Sequence, residues 1–245
     1  MNAIEIRGLT KRYGTRTAVD NLSLNVAQGQ LFALLGQNGA GKTTTIRMLC
    51  GLVPPTSGDA LLGGKSICRE AQAAKQVTNV SPQETAIAPN LTVRENLELF
   101  ARIYGANRAA AAEKAASLME TFGLTDRARD RAKTLSGGMQ RRLSIAMALI
   151  SDPQVVFLDE PTLGLDVRAR RDLWRAIEAL KGKVTVVLTT HYLEEAEALS
   201  DEIGILHEGR LRALGTAETL KAKMGTDSFE EAFLALTDPE AEVSK

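Results

Sequence analysis

Residues 31–43 read LFALLGQNGAGKT. Leu31 to Leu35 run without a polar break, the pattern of a strand buried on both faces of a parallel sheet. The next eight residues, Gly36-Gln37-Asn38-Gly39-Ala40-Gly41-Lys42-Thr43, fit G-x-x-x-x-G-K-[ST]. From Lys42 to Leu49 the sequence reads as a helix, closed by Gly51 and then Pro54-Pro55. This strand, glycine loop and helix are the context the motif needs. The glycines reach backbone angles that other residues avoid, so successive N–H groups can turn inward around phosphate oxygens. The helix start adds its positive dipole end. Lys42 offers a point charge for the β- and γ-phosphates, and Thr43 a hydroxyl for Mg2+. Thr44, next in the first turn, joins the candidate phosphate contacts.

Outward from this loop, short apolar runs alternate with helical patterns, which predicts an α/β fold with a largely parallel sheet. Strands are expected near 3–8 and 21–26, with Gly14 and Gly29 as turn residues, and again at 155–158 and 184–188. Helices are expected at about 167–180 and 192–199. The strand Val155–Leu158 ends in Asp159-Glu160, two carboxylates at the strand edge where open α/β sheets bind ligands. Asp159 is placed to hold Mg2+ through water, and Glu160 is a candidate general base for an attacking water. Loop and acidic pair together read as a nucleoside triphosphatase.

Composition narrows the class. Thirty basic residues balance thirty acidic ones, so no whole-chain attraction to nucleic acid or anionic lipid is expected. The longest apolar run, Ile145 to Ile150, is far short of the roughly 20 residues a membrane helix needs. The N-terminus has no apolar core and does not read as a secretory signal. Cys50 and Cys68 form no disulfide framework or metal motif and read as plain thiols.

From Thr92 to Ile150 helical patterns replace strands. Thr92-Val-Arg-Glu95 reads as a capping box opening a helix with Leu97, Phe100 and Ile103 on its apolar face. Residues 108–122 form an alanine-rich helix, and a third runs from about Ser136 to Ile150. Residues 86–150 thus read as a helical lobe inserted into a core made of 1–85 and 151–225. Residues 226–245 read as a helical tail: Ser228-Phe-Glu-Glu231 is a second capping box, with Phe229, Phe233 and Leu236 on one stripe. Basic residues alternate from Arg127 through Arg129 and Arg131 to Lys133, suggesting one face of an extended or loop segment, with Arg141 and Arg142 following, and a second run comprises Arg168, Arg170 and Arg171; solvated faces or salt bridges are the default for both, contact with a partner the functional option.

Leu135-Ser136-Gly137-Gly138-Met139-Gln140 then places a serine and two glycines at the start of an apolar helix, a second anion site. A nucleotide already gripped by the first loop can use it only if another copy supplies it. Here the chain resembles the ATP-binding subunits of ABC (ATP-binding-cassette) transporters along nearly its whole length. Residues 135–140 match that family's LSGGQ motif, with Met139 in place of the usual glutamine. The resemblance makes Tyr13 the aromatic that stacks on adenine. It makes Gln83 the glutamine at the junction of core and lobe, able to reach metal or water, and Gly164-Leu165-Asp166 the loop that crosses a dimer interface. His191 becomes the switch histidine, bonding the γ-phosphate and orienting Glu160. Ser136, Gly137, Gly138, Gln140 and Asp166 would meet the nucleotide of a partner copy.

The resemblance implies a P-loop core with an N-terminal antiparallel region, an ATP-dependent homodimer using ATP and Mg2+, and hydrolysis coupled to transport. Thr189–Glu197 and the tail from Ser228 are most similar to separate-chain ATPases of bacterial drug, polysaccharide, lipid or sodium exporters. These imply multi-spanning permease partners, peripheral attachment at the cytoplasmic face of the inner or plasma membrane, and neither nucleic acid nor direct bilayer insertion. The alternative is a soluble ABC ATPase acting on ribosomes or DNA. The first type usually carries two cassettes per chain; the second needs a long coiled-coil insertion, whereas the stretch between Lys42 and Asp159 holds a short helical lobe. Asp201-Glu-Ile-Gly204 fits the D-x-x-G of GTPases by chance, no N-K-x-D accompanying it. His207, in an expected strand before Glu208-Gly209, is read as structural.

Overall fold

The computed structural model describes residues 1–238. Two sheets form the frame. The first is antiparallel, ordered β2 (Arg16–Ala27), β1 (Asn2–Tyr13), β4 (Ser57–Leu62), β5 (Lys65–Ser66). The second is ordered β10 (Arg210–Gly215), β9 (Glu202–His207), β3 (Leu31–Leu35), β8 (Thr185–Thr190), β7 (Val155–Asp159), β6 (Thr78–Ser81). All its pairs are parallel except β10 with β9.

Period-two alternation explains how one sheet serves two cores. In β3, Leu31, Ala33 and Leu35 face one cluster with Val156, Leu158, Val186 and Leu188. Phe32 and Leu34 face the other, with Phe157, Val187 and the inner residues of β1 and β2 such as Ile4, Ile6, Leu22 and Leu24. Both β3 and β7 are buried at every position. Each large apolar side chain so buried contributes roughly 1.5–3 kcal/mol. The strength of this sheet is what allows polar groups to sit at its carboxyl edge.

Helix α1 (Lys42–Leu49) follows β3 directly. Between β6 and β7 the chain is helical: α3 (Val93–Ile103), α4 (Arg108–Thr121), 3-10 turns at Thr125–Arg127 and Ala132–Thr134, then α5 (Gly137–Leu149). Helix α5 packs against β6, β7 and α6 (Val167–Glu178) as well as against α3 and α4, so it ties the helical segment to the sheet. Helices α7 (Leu193–Leu199), α8 (Ala217–Met224) and α9 (Phe229–Thr237) complete the chain, with α2 (Ala71–Gln76) beside β5. The expected tail continues to 245, and 239–245 lie outside the described residues.

Several expectations are corrected. β1 and β2 run well beyond 3–8 and 21–26, because the hairpin carries its pairing to Tyr13–Arg16 through successive register shifts. Ile103 is 65% exposed rather than on the apolar face, since α3 buries Val93, Leu97 and Ala101 instead. The box at Thr92 is complete. At Ser228 it is half formed: Ser228 Oγ accepts from Glu231 N at 3.3 Å, but the Glu231 carboxylate turns to Thr226 Oγ1. The basic run 127–133 is not one extended face. Its two 3-10 turns separate the side chains, with Arg127 pairing with Asp130 at 3.1 Å and Lys133 donating to Asn90 at 3.1 Å. Arg170 lies 4.7 Å from the Tyr192 ring centroid.

Asp201 of the D-x-x-G stretch is structural: it accepts from Leu31 N at 2.8 Å, at the end of β3 away from the glycine loop. His207 ends β9, and Glu208 and Gly209, both at positive φ, make the turn into β10. Cys50 is buried; burial, aided by the Asp159 charge, pushes its thiol up to about 12. No described helix is long and apolar enough to cross a membrane.

Candidate functional site

The carboxyl edge of the parallel sheet opens into a cavity of about 530 Å³. Its floor is the glycine loop. Gly41 has φ 105, and a Cβ there would lie 2.5 Å from the carbonyl oxygen of Ala18; one at Gly36 would lie 2.4 Å from that of Leu206. Only glycine permits both the left-handed turn and these close approaches. Gly39, also at positive φ, lines the cavity with Asn38, while Gln37 is exposed and Ala40 buried. No side chain caps α1, so its first amides remain available. Thr43 and Thr44 line the same cavity.

The buried Lys42 ammonium donates to Gly36 O at 2.7 Å and Gln37 O at 3.2 Å, and sits 3.2 Å from Glu160 Oε1. The other Glu160 oxygen, Oε2, lies 2.7 Å from His191 Nδ1. Thus β3, β7 and β8 each deliver one member of a Lys42–Glu160–His191 chain at the cavity wall. Beside it, Asp159 Oδ1 accepts from Thr43 Oγ1 at 3.1 Å and from Thr189 Oγ1 at 2.6 Å. Thr189 Oγ1 also accepts from Glu160 N at 3.0 Å. Glu160 has φ 47, a left-handed conformation that costs a non-glycine residue on the order of 1–3 kcal/mol and persists only where its surroundings hold it.

Tyr13 is 46% exposed at the rim, with the Lys11 ammonium 5.1 Å from its ring centroid. Gln83 lines the cavity. Ser136, Gly137, Gly138, Gln140 and Asp166 do not line it. Ser136 N-caps α5, its Oγ accepting from Met139 N at 3.4 Å, and Gly137 beside it has open space around its Cα. Gly138 allows the close approach of α6, since a Cβ there would be 2.9 Å from Ala169 Cβ. Gln140 donates back to Leu135 O, and Asp166 N-caps α6 through Ala169 N at 2.9 Å.

A family model described as ABC transporter matches residues 19–163, more than half of the chain. The chain belongs to this family. The linearmycin resistance ATP-binding protein LnrL of Bacillus subtilis is 41% identical over 92% of this chain and 73% of its own. The daunorubicin/doxorubicin resistance ATP-binding protein DrrA of Streptomyces peucetius is 45% identical, covering 92% and 68%. The Nod factor export ATP-binding protein I of Paraburkholderia xenovorans is 45% identical, covering 93% and 76%. A solved structure, described as that of an ATP binding subunit of an ABC transporter, superposes with TM-score 0.85 at 30% identity over 96% of this chain and all of that one. This ABC protein is therefore an ATP-binding ATPase subunit of a transporter, and the ribosomal or DNA alternative is not favoured.

Three residues of this ABC ATPase that sequence reasoning passed over shape the site, Arg16, Thr189 and Glu195, and so does Arg141, expected on a solvated basic face and found buried. Arg16 lines the cavity. Thr189 bridges the two carboxylate positions. Arg141, 4% exposed, spends its guanidinium on backbone carbonyls around Glu160 and Gln83. Burial pushes Arg141 down to about 10, the charges of Asp159, Glu195 and Glu160 opposing the shift. Its signal was available: at helical spacing Arg141 shares a face with the apolar Ile145 and Leu149, and a charge on a buried face demands partners.

Glu195, on α7, is fully buried. Its Oε1 accepts from Trp174 Nε1 at 3.1 Å, while Oε2 has no hydrogen-bond partner among the described residues. Burial pushes its carboxyl above the ordinary value of 4.5, hydrogen bonding pulling the other way and the Glu160 charge adding to the rise. The folded state therefore holds this proton more tightly than the unfolded chain does. The stability it lends is complete below the unfolded value and is lost as pH rises through the folded one. Glu195→Gln should raise the melting temperature by about 2–4 °C at pH 8, with the gain shrinking toward pH 4.5. Thermal scans at both values check this; a lower melting temperature at pH 8 contradicts it.

Proposed function

We propose that this chain is the motor of an exporter: two copies bind two MgATP between them and drive a separate multi-spanning permease from the cytoplasmic face of the membrane. The observation that carries the reading is the Lys42–Glu160–His191 chain at the wall of a glycine-floored cavity. The 86–150 lobe and the 1–85 plus 151–225 core are the parts we propose to move against one another. The relatives named for drug resistance and Nod factor export support the direction of transport.

The amides of Gly39 to Thr44 and the start of α1 would bind the triphosphate. Lys42 would leave the carbonyls of Gly36 and Gln37 for the β- and γ-phosphates, which frees Glu160 Oε1 to take the proton of an attacking water. His191 Nδ1 holds the opposite oxygen and keeps the carboxylate aimed. Thr43, Asp159 and Gln83 form a hard, all-oxygen set that suits Mg2+. Among the described residues no three His, Cys, Asp or Glu side chains could hold a metal together, so the ion would rest on these few oxygens and the phosphates. When bound, Mg2+ supplies positive charge against the phosphoryl oxygens.

Tyr13 presents a ring to the purine while Lys11 covers it from nearby, so adenine is held by stacking. Losing one base–aromatic stack costs roughly 1–3 kcal/mol, and Tyr13→Ala should raise KM for ATP roughly tenfold with kcat nearly unchanged. Steady-state phosphate release tests it; an unaltered KM removes the stacking role. The exposed Leu99 and Ile103 on α3, with Tyr104 just past its end, face away from the core and give the permease an apolar landing. Fractionation in the native host tests the whole reading. The protein should sediment with membranes and be released by carbonate, whereas recovery with ribosomes overturns it.

A further inference from the structure

All five N–H bonds of the Arg141 guanidinium are occupied, and every acceptor is a main-chain carbonyl. Nε donates to Pro161 O at 2.8 Å. One terminal nitrogen, Nη2, donates to Asp159 O at 2.6 Å and Glu160 O at 2.8 Å. The other, Nη1, donates to Gln83 O at 3.1 Å and to Pro82 O. The acceptors lie at the carboxyl ends of two neighbouring strands, just past their last pair, Ser81 with Leu158: Pro82 and Gln83 follow β6, while Asp159 ends β7 and Glu160 and Pro161 follow it. A planar fork with five donors fits five fixed carbonyls; an ammonium with three donors does not.

Glu160 is the residue that most needs such a hold. Its backbone is left-handed, its N–H is fixed by Thr189 Oγ1, and its C=O is fixed by Arg141. Arg141 itself stands on α5, one turn after Ser136. The same helix is bound to the end of β6 by Ser144 Oγ, 2.9 Å from Ser81 Oγ. Displacing α5 therefore pulls on both strand ends through one side chain.

We propose that Arg141 is a positioning residue for hydrolysis. It holds the backbone beneath Glu160 and Gln83 to helix α5, so that the placement of the helix that carries Ser136 sets the aim of Glu160. This rests on the reading of Glu160 as the base. Arg141 touches neither the cavity nor the nucleotide, so its loss should affect turnover and not binding.

The test uses the full chain with Arg141→Lys, Arg141→Met and the neighbour Arg142→Ala, whose guanidinium donates to Phe122 O away from the site. Arg141→Lys keeps the charge and most of the volume and guards against a methionine variant that fails to fold. A base misplaced by about 1 Å costs roughly 100-fold, and that is the fall in kcat expected for Arg141→Lys. KM should stay within about threefold. Without nucleotide, amide exchange in 83–88 and 159–165 should rise about tenfold while the rest of α5 keeps its protection. Arg142→Ala should leave kcat and both segments unchanged. A folded Arg141→Lys protein with full kcat overturns the proposal. So does a loss of kcat that Arg142→Ala reproduces, or one accompanied by loosening of all of α5, because the role is then only structural. Parent-like turnover by Glu160→Gln fails the underlying reading of Glu160, a result obtained separately from the Arg141 variants.

Discussion

Glu160→Gln is expected to lower kcat for ATP hydrolysis by roughly 100- to 10,000-fold, the usual contribution of a positioned general base. The substitution preserves shape and the reach to His191 Nδ1, so the left-handed backbone and its ties to Thr189 and Arg141 remain. What it removes is the ability to accept a proton. It also removes the charge that Lys42 faces at 3.2 Å, so the lysine should move to the phosphates more readily. ATP affinity is therefore expected to be kept or improved, and the ATP-bound dimer to accumulate. Phosphate release measures the first effect and light scattering on a size-exclusion column the second. Parent-like turnover would remove Glu160 as the base.

How much of this site could be read in advance depended on the range of the interactions that build it. The phosphate loop was legible because its parts are contiguous: the buried run Leu31–Leu35, glycines that must turn, and Lys42 opening a helix. Asp159 and Glu160 were legible for the same reason, as the first polar residues after an apolar strand. Gln83 and His191 were not distinguishable from ordinary surface residues by their neighbours, and only the family resemblance singled them out. The burial of Arg141 was legible from its helical spacing with Ile145 and Leu149, but its partners were not, because they are carbonyls far away in the chain and carbonyls leave no trace in a residue alphabet. Thr189 was hidden because its hydroxyl serves the neighbouring strand β7. The antiparallel sheet was underread for a related reason. β4 is short, begins with exposed residues, and is set by a contact no local pattern encodes: a Cβ on Gly58 would lie 2.2 Å from Gly8 O.

Ser136→Arg is expected to abolish ATP-dependent dimerisation and, with it, nearly all hydrolysis, while a single chain still binds nucleotide. Ser136 and Gly137 are exposed, lie outside the cavity that holds Lys42 and Glu160, and leave open space at the start of α5. If a partner's γ-phosphate fills that space, a long side chain there excludes it. Ser136 is also an N-cap, and losing a cap costs roughly 1 kcal/mol, so loss of folding must be separated from loss of the interface. Ser136→Asp does this: aspartate caps as well as serine, yet its charge repels a phosphate. Both variants should bind ATP with near-parent affinity, remain monomeric in the Glu160→Gln background, and lose turnover by at least about 100-fold. The aspartate variant should melt at or above the parent temperature. Dimers of either variant, formed with MgATP at the parent's concentration, would leave α5 with no share in the nucleotide site, and Arg141 with no helix movement to relay.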